Sequence, residues 1–126
     1  MGQSKMGSIA FLQTVINDEG LVVAGALAKV LHITQHDLAE VTGLSRDSVS
    51  KSNRLKSKAT QTRLRDTVEI INRVSEWSGG AGRAFAWFRS QPLPSFGDKT
   101  AEDLVKEGRA DAVKAYLSRI ADGGYA

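Results

Sequence analysis

Two histidines are the first residues whose type and spacing could do chemistry, as metal ligands. His32 and His36 are four positions apart, the spacing that places two ligands on one face of a helix. The intervening Ile33-Thr34 is typical of a junction between helices. The histidines lack the His-Glu-x-x-His context of a metalloprotease, and no nearby acidic pair supports a metal. The chain also has no cysteine and so offers no thiolate ligand or nucleophile. We therefore expect no metal site.

Glycines and paired carboxylates are the other candidates for chemistry. Gly79, Gly80 and Gly82 lack the preceding strand and the following Lys-Ser/Thr pair of a phosphate-binding loop. Glu102 and Asp103 follow a predicted helix start, where carboxylates interact favourably with the helix N-terminus, so acid–base catalysis is not indicated. The sequence predicts no enzyme, no catalytic residue and no cofactor.

Positive charge is concentrated in one part of the chain. Residues 1–43 carry a net charge of −2, residues 44–66 one of +5, and residues 67–126 none. Because no aromatic residue is interleaved with these cations, the pattern is typical of binding to duplex DNA rather than of single-strand stacking. The alternative is a solvated helix face without a ligand.

The basic stretch overlaps a pattern typical of a helix-turn-helix, from Gln35 to Arg54. Ala39 is small where the two helices must cross closely, and Gly43 stands where the turn needs a positive φ. The positions predicted to face inward are Leu38, Leu44 and Val49.

The outer face of the second helix is predicted to contact DNA, and its N-terminal residues would lie at base edges in the major groove. Asp47 lies in this face and would repel phosphates. The predicted DNA-contacting residues are Ser45, Arg46, Ser50, Lys51, Arg54, Lys56 and Lys58. Arg63 and Arg65 lie beyond them and are predicted to contact phosphates as well.

Hydrophobic spacing and capping residues predict an all-α fold. Thr34 and Thr100 are each followed three residues later by an aspartate, as at a capped helix start. The predicted helices run over about 8–17, 21–31, 35–41, 46–56, 61–77, 83–89, 101–107 and 109–121. A glycine-rich break separates an N-terminal helix-turn-helix region, 1–78, from a C-terminal region, 79–126.

Length and composition fit one domain, or two small ones that share a core. The chain has 126 residues, of which 41% are hydrophobic and 25% charged. No apolar run approaches the roughly 20 residues that span a bilayer, and no signal peptide is evident, so we expect a cytoplasmic protein without a membrane partner.

Aromatic and aliphatic residues of the C-terminal region predict a small core below a proline-containing loop, with the last helix packed on it. The first set is Trp87, Phe88, Leu93, Phe96, Leu104 and Val105, and the last helix adds Val113, Tyr116, Leu117 and Ile120.

The same region resembles a known family. The residues that carry the resemblance are Trp87, Pro92-Leu93-Pro94, Phe96-Gly97-Asp98-Lys99-Thr100, Asp103-Leu104-Val105, Gly108, Val113, Leu117, Ile120 and Gly123-Gly124-Tyr125. In order and spacing they are similar to the toxin-binding domain of MbcA/ParS/Xre-type antitoxins, over about residues 83–126. The family commonly has glycine where Asp98 stands and proline where Ala101 stands. The helix-turn-helix fits the family more loosely.

The resemblance implies an antitoxin of a type II toxin–antitoxin system. The partner would be a RES-domain toxin that degrades NAD or uses it for ADP-ribosylation, and the C-terminal segment would block its active site. The antitoxin would form a homodimer within a hetero-oligomeric complex and repress its own operon. The residues implied in toxin binding are Lys114, Ser118, Arg119, Asp122, Gly123, Gly124, Tyr125 and Ala126, with the first four expected to be exposed.

Two other functions fit the residues. One is a plain dimeric transcriptional regulator whose C-terminal region only dimerises. The other is a small adaptor with a vestigial helix-turn-helix.

Overall fold

The computed structural model describes residues 2–123, with side chains from Ile9 onward, and confirms the predicted all-α fold. The helices are α1 (Gly2–Val15), α2 (Ala24–Leu31), α3 (Gln35–Thr42), α4 (Arg46–Ser50), α5 (Ser52–Leu55), α6 (Lys58–Ser78), α7 (Ala81–Ser90), α8 (Ala101–Lys106) and α9 (Ala110–Gly123). A 3-10 turn over Pro94–Phe96 lies between α7 and α8. In this part of the chain, none of the helices is both long and apolar enough to cross a membrane.

The long helix α6 runs through the centre of the fold and packs against α1, α7 and α9. Ser57 caps its start, since the hydroxyl accepts a hydrogen bond from Thr60 N at 3.3 Å. Gly79 ends it in a left-handed conformation, with φ of 103°. The apolar residues predicted at helical spacing are buried here: Leu64, Val68, Ile71 and Val74.

The helix-turn-helix forms with the predicted local chemistry. Thr34 begins α3 with a capping box, in which its hydroxyl accepts from Asp37 N and the Asp37 carboxylate accepts from Thr34 N. The hydrogen bond that the carboxylate accepts from Thr34 N is the largest of the causes that lower the pKa of Asp37. Gly43 makes the turn with φ of 76°, and Ala39, 1% exposed, lies in the core. Leu38 and Val49 are buried as predicted, and Leu44 is half-buried.

The second helix of the motif is not continuous, contrary to the prediction of one helix over 46–56. Lys51 is extended, with φ −94° and ψ 124°, and separates α4 from α5. In an unbroken helix, Val49 and Leu55 would face directions about 120° apart, given 3.6 residues per turn. The break lets Val49 be buried while Leu55 packs, partly buried, against the same core. The serine and asparagine residues that flank Lys51 are weak helix formers, so interrupting the helix there costs little free energy.

A buried glutamine ties three segments together. Gln61, 6% exposed, accepts a hydrogen bond from Val22 N at 2.8 Å through Oε1. Its Nε2 donates to Val22 O at 3.1 Å and to Leu55 O at 2.9 Å. The side chain therefore pairs with the loop before α2 as a strand would, and also fixes the end of α5.

The C-terminal helices enclose the predicted core. Phe88, Leu93, Leu104 and Val105 are fully buried, whereas the rings of Trp87 and Phe96 are half-buried. The loop between α7 and α8 closes on itself through a hydrogen bond from Leu93 N to Lys99 O at 2.9 Å.

The tip of this loop has two successive left-handed residues, Gly97 with φ of 68° and Asp98 with φ of 65°. Left-handed backbone suits glycine, which explains why a second glycine is common at the position of Asp98 in the family that the chain resembles. Thr100 and Asp103 then form the predicted capping box at the start of α8.

One hydrophobic core joins the two regions that the sequence suggests. Buried side chains from Phe11 in α1 to Leu117 in α9 belong to a single cluster. The turn at Gly43 lies close to α8, since a Cβ placed on Gly43 would lie 3.3 Å from Lys106 Cα. The division into 1–78 and 79–126 stays a prediction, and the segments it separates share one core.

Candidate functional site

The helix-turn-helix leaves its predicted DNA-contacting side chains in solvent. All seven are exposed: Ser45, Arg46, Ser50, Lys51, Arg54, Lys56 and Lys58. The break at Lys51 divides them into a group on α4 and a group on and after α5.

The α4 group borders a shallow groove of about 190 Å³ against the start of α3. Its lining residues are Gln35, His36, Arg46, Val49 and Ser50. Ser45 caps α4, because its hydroxyl accepts from Ser48 N at 3.1 Å. Asp47 lies 3.7 Å from Lys51 and offsets its charge. Arg46 is therefore the cation of α4 that no carboxylate in the described chain neutralises.

Two cations predicted to contact phosphates bind this chain's own backbone instead. Arg63 Nη1 donates to Thr42 O at 2.7 Å and so caps the end of α3. Arg65 donates to the carbonyl of Gly20. Both guanidinium groups hold the helix-turn-helix and the α1–α2 loop against α6, a role that the charge pattern did not indicate.

The other residues considered for chemistry have structural roles. His32 ends α2 in a left-handed conformation, and His36 lies 3.2 Å from Glu40 on α3. Within residues 2–123, no group of three or more side chains is placed to hold a metal. Glu102 forms ion pairs with Arg89 at 3.0 Å and Lys106 at 2.9 Å. Hydrogen bonds from Thr100 lower the pKa of Asp103.

Polar contacts hold α9 on α6. Lys114 Nζ lies 2.6 Å from Asp66 and 3.2 Å from Glu69. Arg73 Nη1 donates to Ser118 Oγ at 3.2 Å and to Lys114 O at 3.3 Å. Burial acts to lower the pKa of Lys114, but the hydrogen bonds that it donates to the Asp66 and Glu69 carboxylates, together with their negative charge, outweigh this and raise it.

Lys114 therefore differs from the exposed side chain expected of it. Its side chain is only 21% exposed and is occupied by α6. Ser118, Arg119 and Asp122 are exposed on the last turns of α9, as expected, and Gly123 is exposed as well. The predicted toxin contacts at Gly124, Tyr125 and Ala126 lie outside the described residues.

A groove between the end of α6 and the end of α9, here called the α6–α9 groove, has a volume of about 290 Å³. Its lining residues are Arg73, Glu76 and Trp77 of α6 and Leu117, Ser118, Ala121 and Asp122 of α9. Trp77 is 57% exposed and meets the ring of Trp87 edge-on, with ring centroids 6.0 Å apart. Sequence reasoning placed Trp77 only at a helix end and missed this surface. Its signal was a large aromatic residue next to a glycine break.

A protein-family model matches residues 73–123, and its description is "Antitoxin Xre/MbcA/ParS C-terminal toxin-binding domain". Over these residues the chain is similar to an antitoxin toxin-binding domain. The match confirms the resemblance drawn from residues 83–126 and implies a toxin partner. Comparisons with curated proteins and with solved structures gave no match.

The matched region begins at Arg73, inside α6, so it includes the end of that helix as well as α7, α8 and α9. Every residue that lines the α6–α9 groove therefore belongs to it. The exposed Trp77 and the exposed end of α9 together form one face of the matched region.

Proposed function

We propose that this antitoxin neutralises a RES-domain toxin that uses NAD, by placing its C-terminal segment in the toxin's active site. The observation that carries the proposal is the match of residues 73–123 to an antitoxin toxin-binding domain, together with an α9 whose last turns are exposed. A helix end that is free of the chain's own core is available to a partner. Residues 124–126 follow it in the sequence.

Deletion of residues 123–126 is expected to release the toxin. A bacterial host would express the toxin from the neighbouring gene with full-length or truncated antitoxin, and growth and cellular NAD would be measured. With the full-length chain, growth and the cellular NAD concentration should stay normal. With the truncated chain, both should decrease. Protection by the truncated chain would refute the blocking segment. Growth arrest with unchanged NAD and no ADP-ribosylated protein would refute the NAD-using toxin.

We also propose that the antitoxin represses its own operon as a homodimer that binds DNA through the helix-turn-helix. Two copies would present two basic surfaces to two half-sites of an operator. The support is the exposed basic surface on α4, α5 and the start of α6, and the formed turn at Gly43.

Substitution in the basic surface is expected to weaken binding to operator DNA. Lys56→Ala should remove one phosphate contact, so the logarithm of affinity should fall less steeply with the logarithm of salt, by about one unit of slope. Arg46→Ala should weaken binding as well, because this cation stands at the start of α4. Gel shifts at two salt concentrations would measure both, with the exposed Lys29→Ala as control. Affinities equal to that of the control would count against DNA binding here.

A further inference from the structure

The α6–α9 groove combines an exposed aromatic ring with free carboxylates. Neither Glu76 nor Asp122 has an ion-pair partner within the described residues, although both line the groove. The one cation of the lining, Arg73, is already bound to Glu69 at 2.8 Å and to Ser118 at 3.2 Å. The groove thus presents uncompensated negative charge.

The apolar part of the groove adds a second requirement on what it can bind. Leu117 is almost fully buried beneath the groove, and Ala121 and Trp77 contribute apolar surface. An arginine or lysine side chain has both properties that this surface complements, an aliphatic stem and a cationic head. A cation is also attracted to the face of a tryptophan ring.

We propose that the α6–α9 groove receives an arginine or lysine side chain of the toxin. In this arrangement the stem lies on Trp77 and Leu117, and the charged head pairs with Glu76 and Asp122. The inference rests on the proposed toxin binding, and it names a contact separate from the C-terminal segment. Tryptophan is enriched among residues that dominate binding energy at interfaces.

The position of the groove means that this contact would align the end of α9 with the toxin surface. Ser118, Ala121 and Asp122 belong to the last turns of α9, directly before residues 124–126. A toxin cation held there would fix the end of α9 on the toxin surface. The C-terminal segment would then enter the toxin's active site from a fixed position at the end of α9.

Charge reversal in the groove tests the proposal. Glu76→Lys and Asp122→Lys would each be compared with Asp18→Lys, an exposed position outside residues 73–123 with the same change of charge. The purified toxin would be the probe, with the dissociation constant measured at low and high salt. Each groove variant is expected to bind about 10- to 100-fold more weakly, and less so at high salt, whereas the control should bind like the unmodified antitoxin.

Substitution of Trp77 tests the aromatic contact of the groove independently of its carboxylates. Trp77→Ala should weaken toxin binding about tenfold, and Trp77→Phe should retain part of the affinity because a smaller aromatic face remains. Circular dichroism and urea unfolding would show that the variants stay folded. Reversal of the cognate toxin residue to glutamate should restore binding to Glu76→Lys, which a general loss of stability would not allow.

The outcomes separate this inference from the proposed function. If Glu76→Lys, Asp122→Lys and Trp77→Ala bind toxin like the control while deletion of 123–126 releases it, the groove proposal is wrong and the blocking segment stands. If the groove variants lose binding but the deletion still protects cells, the groove proposal stands and the blocking segment fails.

Discussion

Gln61→Leu is expected to lower the free energy of unfolding by about 2 to 4 kcal/mol, since a buried polar group left without a partner costs roughly 1 to 3 kcal/mol. The substitution keeps a side chain of similar size but removes the partners of Val22 N, Val22 O and Leu55 O. Such a loss is a large share of the stability of a small domain. Urea unfolding followed by circular dichroism would measure it.

The matched control is Gln13→Leu, because Gln13 is an exposed glutamine on α1. It should change stability by no more than about 0.5 kcal/mol, as is usual at the surface. An equal effect at both positions would mean that the three hydrogen bonds of Gln61 contribute little.

Gln61→Glu is expected to make the stability of the protein fall as the pH rises. The introduced carboxyl would face two carbonyl oxygens in a buried site, so its pKa in the folded protein should exceed the roughly 4.3 of an unfolded glutamate. Between about pH 4 and this raised pKa, the folded state then binds more protons than the unfolded state, so the variant should lose stability relative to the parent protein as the pH rises through that interval. A constant stability difference between pH 4 and pH 7 would contradict this placement.

Features that depend only on neighbouring residues could be predicted from the sequence. The threonine and aspartate at 34 and 37, and at 100 and 103, predict capping boxes that depend only on residues three apart, and both form. Gly43 predicts a left-handed turn for the same reason, because the positive φ of the turn is a property of this one residue's backbone.

Features that depend on distant partners could not be predicted in the same way. The break at Lys51 arises because Val49 and Leu55 both pack on a core built by other helices. Arg63 has a charge like that of Lys58, and only the folded chain shows that Thr42 O lies within its reach. A basic stretch in a sequence therefore overstates the cations available to DNA.

The candidate toxin-binding face illustrates the same limit. The resemblance in sequence begins after the glycine break, yet the matched domain begins at Arg73 in the helix before it. Trp77 and Glu76 line a groove only because α9 lies beside them. Lys114 loses its expected exposure for the same reason, because Asp66 and Glu69 of α6 bind it.

Gly43→Ala is expected to lower the free energy of unfolding by about 2 to 3 kcal/mol. Part of the loss, about 1 kcal/mol, comes from the left-handed backbone that a residue with a Cβ adopts at a cost. The rest comes from contact, because the new Cβ would lie 3.1 Å from Arg63 Nη1 and 3.3 Å from Lys106 Cα. Lys106 offers a backbone atom of α8, which can move only with its helix, so the helix-turn-helix and the toxin-binding domain must separate slightly.

Gly97→Ala is the control that isolates this contact. Gly97 has a similar φ of 68°, but a Cβ there would meet no atom within 4 Å. It should therefore lose only the backbone contribution of about 1 kcal/mol. The difference between the two variants, measured by urea unfolding, gives the energy of the close approach between Gly43 and α8. Equal losses would show that this approach relaxes freely and that the two regions tolerate separation. A larger loss at Gly43 means that the turn of the helix-turn-helix is held in place by the toxin-binding domain.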